Sequence, residues 1–261
     1  MKLFYYNSFI LLIDCLKNIS IELVNTRIQT CLFLSLLIVP FKCNAFVDWY
    51  DSSLTLLRGN DFETGDKERT VLTIENGVGY SFGDHFLFID NYRNQDEYSA
   101  YGELLARVSL NKNITSDISY GFFKDVLLAL RLEHAHPLDI NNQAYGVGTD
   151  WGIPGFQFFK VNFFTRRNDM LSNNELINVV WAVNWNMLGQ RFVYDGFIDW
   201  VSEIPDSYTE SFNITSQLKW EVTRLAKKPV YIGFEYIHWN NKFGISGLHE
   251  RNLNVLVKVH F

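Results

Sequence analysis

The sequence predicts an all-β fold, a 12-stranded antiparallel transmembrane β-barrel of the outer membrane. Three observations carry that expectation. First, apolar and polar residues alternate over segments of about ten residues, and the alternation recurs about a dozen times. Second, the aromatic share is 16%, with 22 Phe, 13 Tyr and 7 Trp, a composition that favours strands. Third, an apolar run near the N-terminus is followed by a small-x-small triplet, the pattern of an export signal. After residue 45 no stretch approaches the roughly 20 apolar residues of a membrane helix, and mean hydropathy is -0.05. A barrel escapes that length requirement because every second residue of a strand is free to be polar.

The final segment shows the pattern most clearly. Leu253, Val255, Val257, Val259 and Phe261 share one parity, and Asn254, Lys258 and His260 share the other. Side chains alternate across a strand, so one face is greasy and the other wet, with Leu256 out of pattern. A terminal aromatic ring suits a membrane interface. Turn-like breaks place twelve strands near 51–59, 70–80, 85–92, 99–110, 124–135, 143–152, 157–167, 175–186, 190–201, 210–221, 230–240 and 252–261. An even number returns both ends of the barrel to one side.

The faces repeat from strand to strand. Leu72 and Ile74 oppose Thr73 and Glu75 in the second, and Leu104, Ala106 and Val108 oppose Glu103, Arg107 and Ser109 in the fourth. The fifth sets Leu128, Leu130 and Leu132 against Arg131 and Glu133; the seventh sets Phe159, Val161 and Phe163 against Lys160, Asn162 and Arg166. In the eighth, Val179, Trp181 and Val183 oppose Asn178 and Asn184, and in the ninth Tyr194, Ile198 and Trp200 oppose Asp195 and Asp199. Leu218 and Trp220 oppose Lys219 and Glu221 in the tenth, while Phe234 and Tyr236 oppose Glu235 in the eleventh. A soluble sandwich has the same alternation, but it would not carry so many large aromatics on one face and so few Lys and Glu on the other.

Connections are expected to alternate in length. Short turns fall at Leu188-Gly189, Lys227-Lys-Pro229 and Ile153-Pro-Gly155, and longer loops at 59–69, 93–98, 168–174 and 202–209. The stretch 111–123 fits neither class.

The inward parity carries charges of both signs, which must be solvated or paired. That predicts a wet, narrow, charged lumen containing Glu75, Asp90, Glu103, Arg107, Arg131, Asp195, Asp199, Lys219, Glu235 and Lys258. Many of them also suit structural ladders between strands. Phe86 and Phe88 share the inward parity of Asp90. Two rings in a wet lumen either stack on a flat heterocyclic solute or plug a gap, and the sequence leaves both open.

Residues 1–45 read as an export region. Arg27 precedes the apolar run Cys31-Leu-Phe-Leu-Ser-Leu-Leu-Ile-Val-Pro40, and Cys43-Asn44-Ala45 supplies the cleavage pattern. The segment 24–45 is by itself a well-proportioned signal, which makes Val24 the expected initiator; the alternative is a genuine amphipathic leader. Cleavage after Ala45 leaves 46–261 as a single barrel domain. Removing Lys2, Lys17, Arg27, Lys42, Asp14 and Glu22 takes the 23 basic and 29 acidic residues to 19 and 27, a net charge of -8. Such a surface disfavours nucleic-acid polymers. All three cysteines, Cys15, Cys31 and Cys43, precede the body, so no disulfide framework or thiolate metal site is expected there.

Several blocks, in order, resemble the nucleoside-specific channel-forming (Tsx-like) family, which includes the OmpK-type porins. They are Trp49-Tyr-Asp-Ser-Ser-Leu-Thr-Leu-Leu57, His85-Phe-Leu-Phe-Ile-Asp-Asn91, Tyr101-Gly-Glu-Leu-Leu-Ala-Arg-Val-Ser-Leu110 and Lys124-Asp-Val-Leu-Leu-Ala129. The later blocks are Ile153-Pro-Gly-Phe-Gln-Phe-Phe159, Asp195-Gly-Phe-Ile-Asp-Trp200, Gln217-Leu-Lys-Trp220, Gly233-Phe-Glu-Tyr-Ile-His-Trp-Asn-Asn-Lys242 and Leu256-Val-Lys-Val-His-Phe261. The resemblance implies a monomeric channel in the outer membrane, passing nucleosides and deoxynucleosides by diffusion and serving phages and colicins as a receptor. It also implies solute sites built from lumenal aromatics and ionisable residues. Outer-membrane lipid and the barrel assembly machinery are further expected partners, and no cofactor or metal is.

Two other function classes stay open on the residues. One is a non-selective or non-conducting barrel acting as a phage or colicin receptor or adhesin. The other is an outer-membrane hydrolase, which needs an activated nucleophile beside a His. His85, His134, His136, His238, His249 and His260 show no Ser/His/acid grouping, so no enzyme is expected.

Overall fold

In the computed structural model, which describes residues 46–94, 97–113 and 117–261, twelve antiparallel strands close into one barrel. The expected export region lies outside the described residues. The strands are β1 (Val47–Gly59), β2 (Arg69–Tyr80), β3 (Gly83–Asn94), β4 (Glu97–Ser109), β5 (Phe123–His136) and β6 (Ile140–Trp151). They continue with β7 (Phe156–Arg167), β8 (Asn174–Met187), β9 (Gln190–Val201), β10 (Ser211–Leu225), β11 (Lys228–Asn240) and β12 (Glu250–His260). Each strand pairs with its sequence neighbours, and β1 closes on β12 with Thr55 opposite Lys258 and Leu57 opposite Leu256. Closure leaves no free sheet edge, which is what a β structure in lipid requires.

The expected faces hold throughout. Leu56, Leu128, Phe163, Leu218, Phe234 and Val255 stand on the outside, each between 46% and 57% exposed. Their partners in parity turn inward: Thr73 lies opposite Asp90, Glu75 opposite Phe88, and Phe88 opposite Glu103. Leu256, which breaks the alternation, is also inward; it is 3% exposed and meets the inward Leu57 across the closing seam. An apolar residue is tolerated there because its cross-strand partner is apolar too.

One rim carries the start of β1, the end of β12 and the tight links 81–82, 188–189 and 226–227. Short turns and both ends mark it as the periplasmic rim. Leu188 and Gly189 both have positive φ, 53° and 76°, the geometry of a two-residue hairpin turn that follows strand twist. The opposite rim carries the long loops 60–68, 202–210 and 241–249. Three connections differ from expectation. The turn expected at Lys227-Lys-Pro229 is Ala226-Lys227, with Lys228 and Pro229 already paired in β11. The link between β3 and β4 is not a loop over 93–98, because β3 runs on to Asn94 and β4 begins at Glu97. Backbone pairing carries both strands to the last polar residues, which solvent at a rim accommodates. The stretch 110–122 is a long link at the periplasmic rim. It is anchored where Asp125 accepts from the Asn111 backbone N–H at 2.9 Å and from the Ser109 hydroxyl.

Inside, the sector between β5 and β8 is filled. Ala129, Ala144, Phe164 and Leu176 form an apolar cluster, 0–6% exposed, with Leu105 and Val201 packed on it. Ala144 leaves the space that Phe164 and Leu176 occupy.

Candidate functional site

The lumenal charges are mostly bound to one another rather than bathed in water. Arg107 is 2% exposed and clamps Asp84 through two nitrogens, at 2.5 and 2.8 Å, while Nη1 reaches Asp150 at 2.8 Å and Asn162 at 3.4 Å. Arg131, 5% exposed, holds Glu103 at 2.7 Å and Asp199 at 3.0 Å through Nη2. Its Nε lies 3.0 Å from Glu133 as an ion pair without hydrogen-bond alignment. Glu133 is shared with Arg166 at 2.7 Å, and Asp199 accepts a further bond from Asn178 at 2.7 Å. On the other side of the lumen Lys219 pairs with Asp195 at 2.5 Å and Lys258 with Glu75, which also accepts from Ser53 at 2.6 Å. Buried charges of this kind persist because each has a partner and extra hydrogen bonds.

Two of these pairs span the lumen. Arg131 sits on β5 and Asp199 on β9; Lys160 on β7 reaches Asp84 on β3 at 2.9 Å. Neither pair joins neighbouring strands, so each is a strut between distant parts of the wall. The lumenal charges read from parity thus brace the wall, because opposite charges across a narrow barrel lose less free energy by pairing than by standing apart in partial burial.

Phe86 and Phe88 do face inward, with ring centroids 6.3 Å apart. Two rings absent from the expected site extend the row. Tyr101 lies 5.8 Å from Phe88 and donates its hydroxyl to Glu103 at 3.0 Å. Trp49 lies over Gly77 and Gly79: a Cβ on Gly79 would collide with the indole, and one on Gly77 would touch both Trp49 and Phe86. Glycine at those two positions gives the indole its seat against the wall. The sequence offered a signal for Tyr101, which shares the parity of Glu103 and Arg107, whereas Trp49 fell before the expected start of the first strand. Phe86 is 43% exposed although it points inward, so the row borders open lumen.

Asp90 accepts from Thr73 at 2.5 Å, and Glu235 accepts from Gln217 at 2.8 Å and Asn254 at 3.0 Å. The structure thus groups Glu75, Asp195, Lys219, Glu235 and Lys258 along β2 and β9 to β12, joins Glu103 and Arg131 to Asp199 across the lumen, and sets Arg107 with Asp84 and Asp150. At the periplasmic mouth a polar cavity of about 500 Å³ is lined by Asn184, Asn186, Gln190, Arg191, Glu221 and Arg224. At the opposite mouth loop 60–68 folds inward. Phe62 is buried, and the Arg69 guanidinium is sandwiched 4.5 Å from both the Phe62 and Tyr92 rings. Glu250 binds the Glu63 backbone N–H at 3.0 Å and the Lys242 ammonium at 2.5 Å, so it links two loops. Burial pushes the Lys242 ammonium below the ordinary lysine value, with Glu250 opposing that shift.

Among solved structures, the KdgM porin aligns with a TM-score of 0.50 at 8% identity, over 81% of this chain and 99% of that one, both alone and in complex with disordered oligogalacturonate. The fold is that of an outer-membrane porin. The outer membrane protein Omp33 of Acinetobacter baumannii aligns with a TM-score of 0.40 at 8% identity, over 83% of this chain and 99% of that one. No protein-family model matches the sequence, and no curated protein does. The Tsx-like resemblance rests on its sequence blocks alone. The porin fold, with its apolar outer belt and polar interior, makes this chain a multi-pass outer-membrane barrel.

Proposed function

We propose that this barrel is a passive channel for small solutes bearing a flat ring, nucleosides and deoxynucleosides first among them. The observation that carries the reading is the row of lumenal rings, Trp49, Phe86, Phe88 and Tyr101, ending beside the carboxylates of Glu103 and Asp90. Rings in a polar lumen offer a base a stacking surface that tolerates any base. The adjacent carboxylates and amides accept and donate hydrogen bonds to base edges and ribose hydroxyls. Arg107, Arg131, Lys219 and Lys258 are committed to ion pairs, so their part is to hold the wall in shape. Weak binding suits a channel, because a tight site would trap its solute.

Acidic residues outnumber basic ones in this lumen, which speaks against a polyanion such as the oligogalacturonate of the KdgM complex. The packed loops 60–68, 202–210 and 241–249 favour a second reading, a receptor for bacteriophage or colicin, since they offer a fixed outer surface. Pure protein in a planar bilayer separates the two. The channel reading expects ion current that added adenosine or thymidine partly blocks; a silent barrel would leave only the receptor.

A further inference from the structure

The Arg131–Asp199 strut is a chord from β5 to β9, and the wall it cuts off is solid. Ala144, Asn162, Phe164, Leu176 and Asn178 on β6 to β8 are all 0–5% exposed. Beyond the chord, β3 and β4 face β9 to β11, and there Phe86 keeps 43% exposure and the Asp195 side chain 27%. The open cross-section is therefore eccentric.

Two carboxylates on the walls of that sector differ from the rest. Glu75, Asp84, Glu103, Glu133, Asp150, Asp195 and Asp199 each have a Lys or Arg nitrogen within 3.0 Å. Asp90 on β3 and Glu235 on β11 have only neutral donors, from Thr73, Gln217 and Asn254, and among the described residues neither forms an ion pair. The two come from strands four apart around the barrel, on facing parts of its wall. Neutral donors orient a carboxylate without cancelling its field. A mobile cation is the species such a pair attracts, and acidic side chains facing a pore are a general means of selecting cations.

We propose that ions and solutes cross the barrel through this eccentric sector, and that Asp90 and Glu235 on its two walls make it selective for cations over anions. The proposal rests on the barrel conducting, as proposed above. Zero-current potential under a KCl gradient, in planar bilayers, reads the sign of selectivity directly. The full-length protein should give a potential on the potassium side. Asp90→Asn with Glu235→Gln should move that potential toward, or past, zero. An anion-selective parent, or a double variant with the parent's potential, overturns the charge assignment and leaves the channel reading standing. A parent with no current overturns the channel reading itself.

The route has its own readout, since all native cysteines lie in the first 43 residues and the parent supplies the baseline for thiol reagents. Thr215→Cys, inward on β10, should lose current on exposure to a cationic methanethiosulfonate, and Ala144→Cys, behind the chord, should not. Block at Ala144→Cys with none at Thr215→Cys would place the path on the wrong side.

Discussion

Arg131 and Asp199 meet at 3.0 Å from strands that are four positions apart in the barrel, and the same guanidinium holds Glu103 and Glu133. One cation thus ties three carboxylates on β4, β5 and β9. The pairing explains how so polar an interior coexists with a shaped wall: the charges themselves are the packing. It also makes Arg131 the residue whose loss should hurt most.

Arg131→Met removes the charge while keeping most of the side chain's bulk. Three carboxylates, each less than one-sixth exposed, are left facing one another. Breaking a buried pair by removing one partner costs about 3–5 kcal/mol. Urea unfolding followed by tryptophan fluorescence should show a clearly lower midpoint than the parent. An unchanged midpoint would mean that the strut contributes nothing to stability.

Outside the barrel the rule reverses. Phe234 is 51% exposed on β11, paired across to Val255 and Leu218, and it belongs to the lipid-facing belt. Phe234→Arg should cost roughly 2–4 kcal/mol near the bilayer midplane, falling toward the interfaces. Phe234→Leu serves as the control and should assemble normally. Folding yield into vesicles, scored by heat-modifiable electrophoretic mobility, distinguishes them; equal yields would take Phe234 off the lipid face.

Strand number, strand faces and the inward set were legible because parity is a local property: Glu103, Arg107 and Tyr101 must share a face whatever surrounds them. Which inward residues meet across the lumen was not legible. That depends on how far each strand is staggered around the closed sheet, and nothing near Arg131 in the chain points to Asp199. Loop lengths were read from composition, so polar strand ends at 93–98 passed for a loop.

The β10–β11 turn is centred on Ala226 and Lys227, both at positive φ, 47° and 70°. Side chains with a Cβ pay roughly 1–2 kcal/mol per residue in that left-handed region, whereas Asn and Gly suit it. Ala226→Asn with Lys227→Gly should therefore stabilise the hairpin, by about 1 kcal/mol once the greater freedom of the unfolded chain is counted. A raised urea midpoint checks this, and a lowered one would count against the turn geometry.

Loop 60–68 is held by the Arg69 sandwich between Phe62 and Tyr92 and by Glu250 at the Glu63 backbone. Arg69→Gln loses the cation while retaining polarity. A desolvated cation–π contact is worth up to about 2 kcal/mol, enough to raise the open population of a surface loop many-fold. Limited proteolysis of folded protein in vesicles should cut within 60–68 faster than in the parent, with cleavage elsewhere unchanged. Equal cutting rates would show that the loop is held by other contacts.

The last prediction concerns the lumenal rings. Phe88 stands between Phe86 and Tyr101, so its replacement interrupts the row at the middle, whereas replacing Trp49 shortens it from one end. A base–aromatic stack is worth about 1–3 kcal/mol. Phe88→Leu keeps an apolar filler of similar reach and should weaken block of ion current by adenosine or thymidine roughly five- to 150-fold, the range that about 1–3 kcal/mol spans. Tyr101→Phe keeps the ring and removes only the hydroxyl on Glu103, so it should change block far less. The contrast between these variants carries the test, because both keep an apolar group in the same space. If Phe88→Leu is blocked like the parent, the rings are packing residues and nucleoside preference has no aromatic basis here.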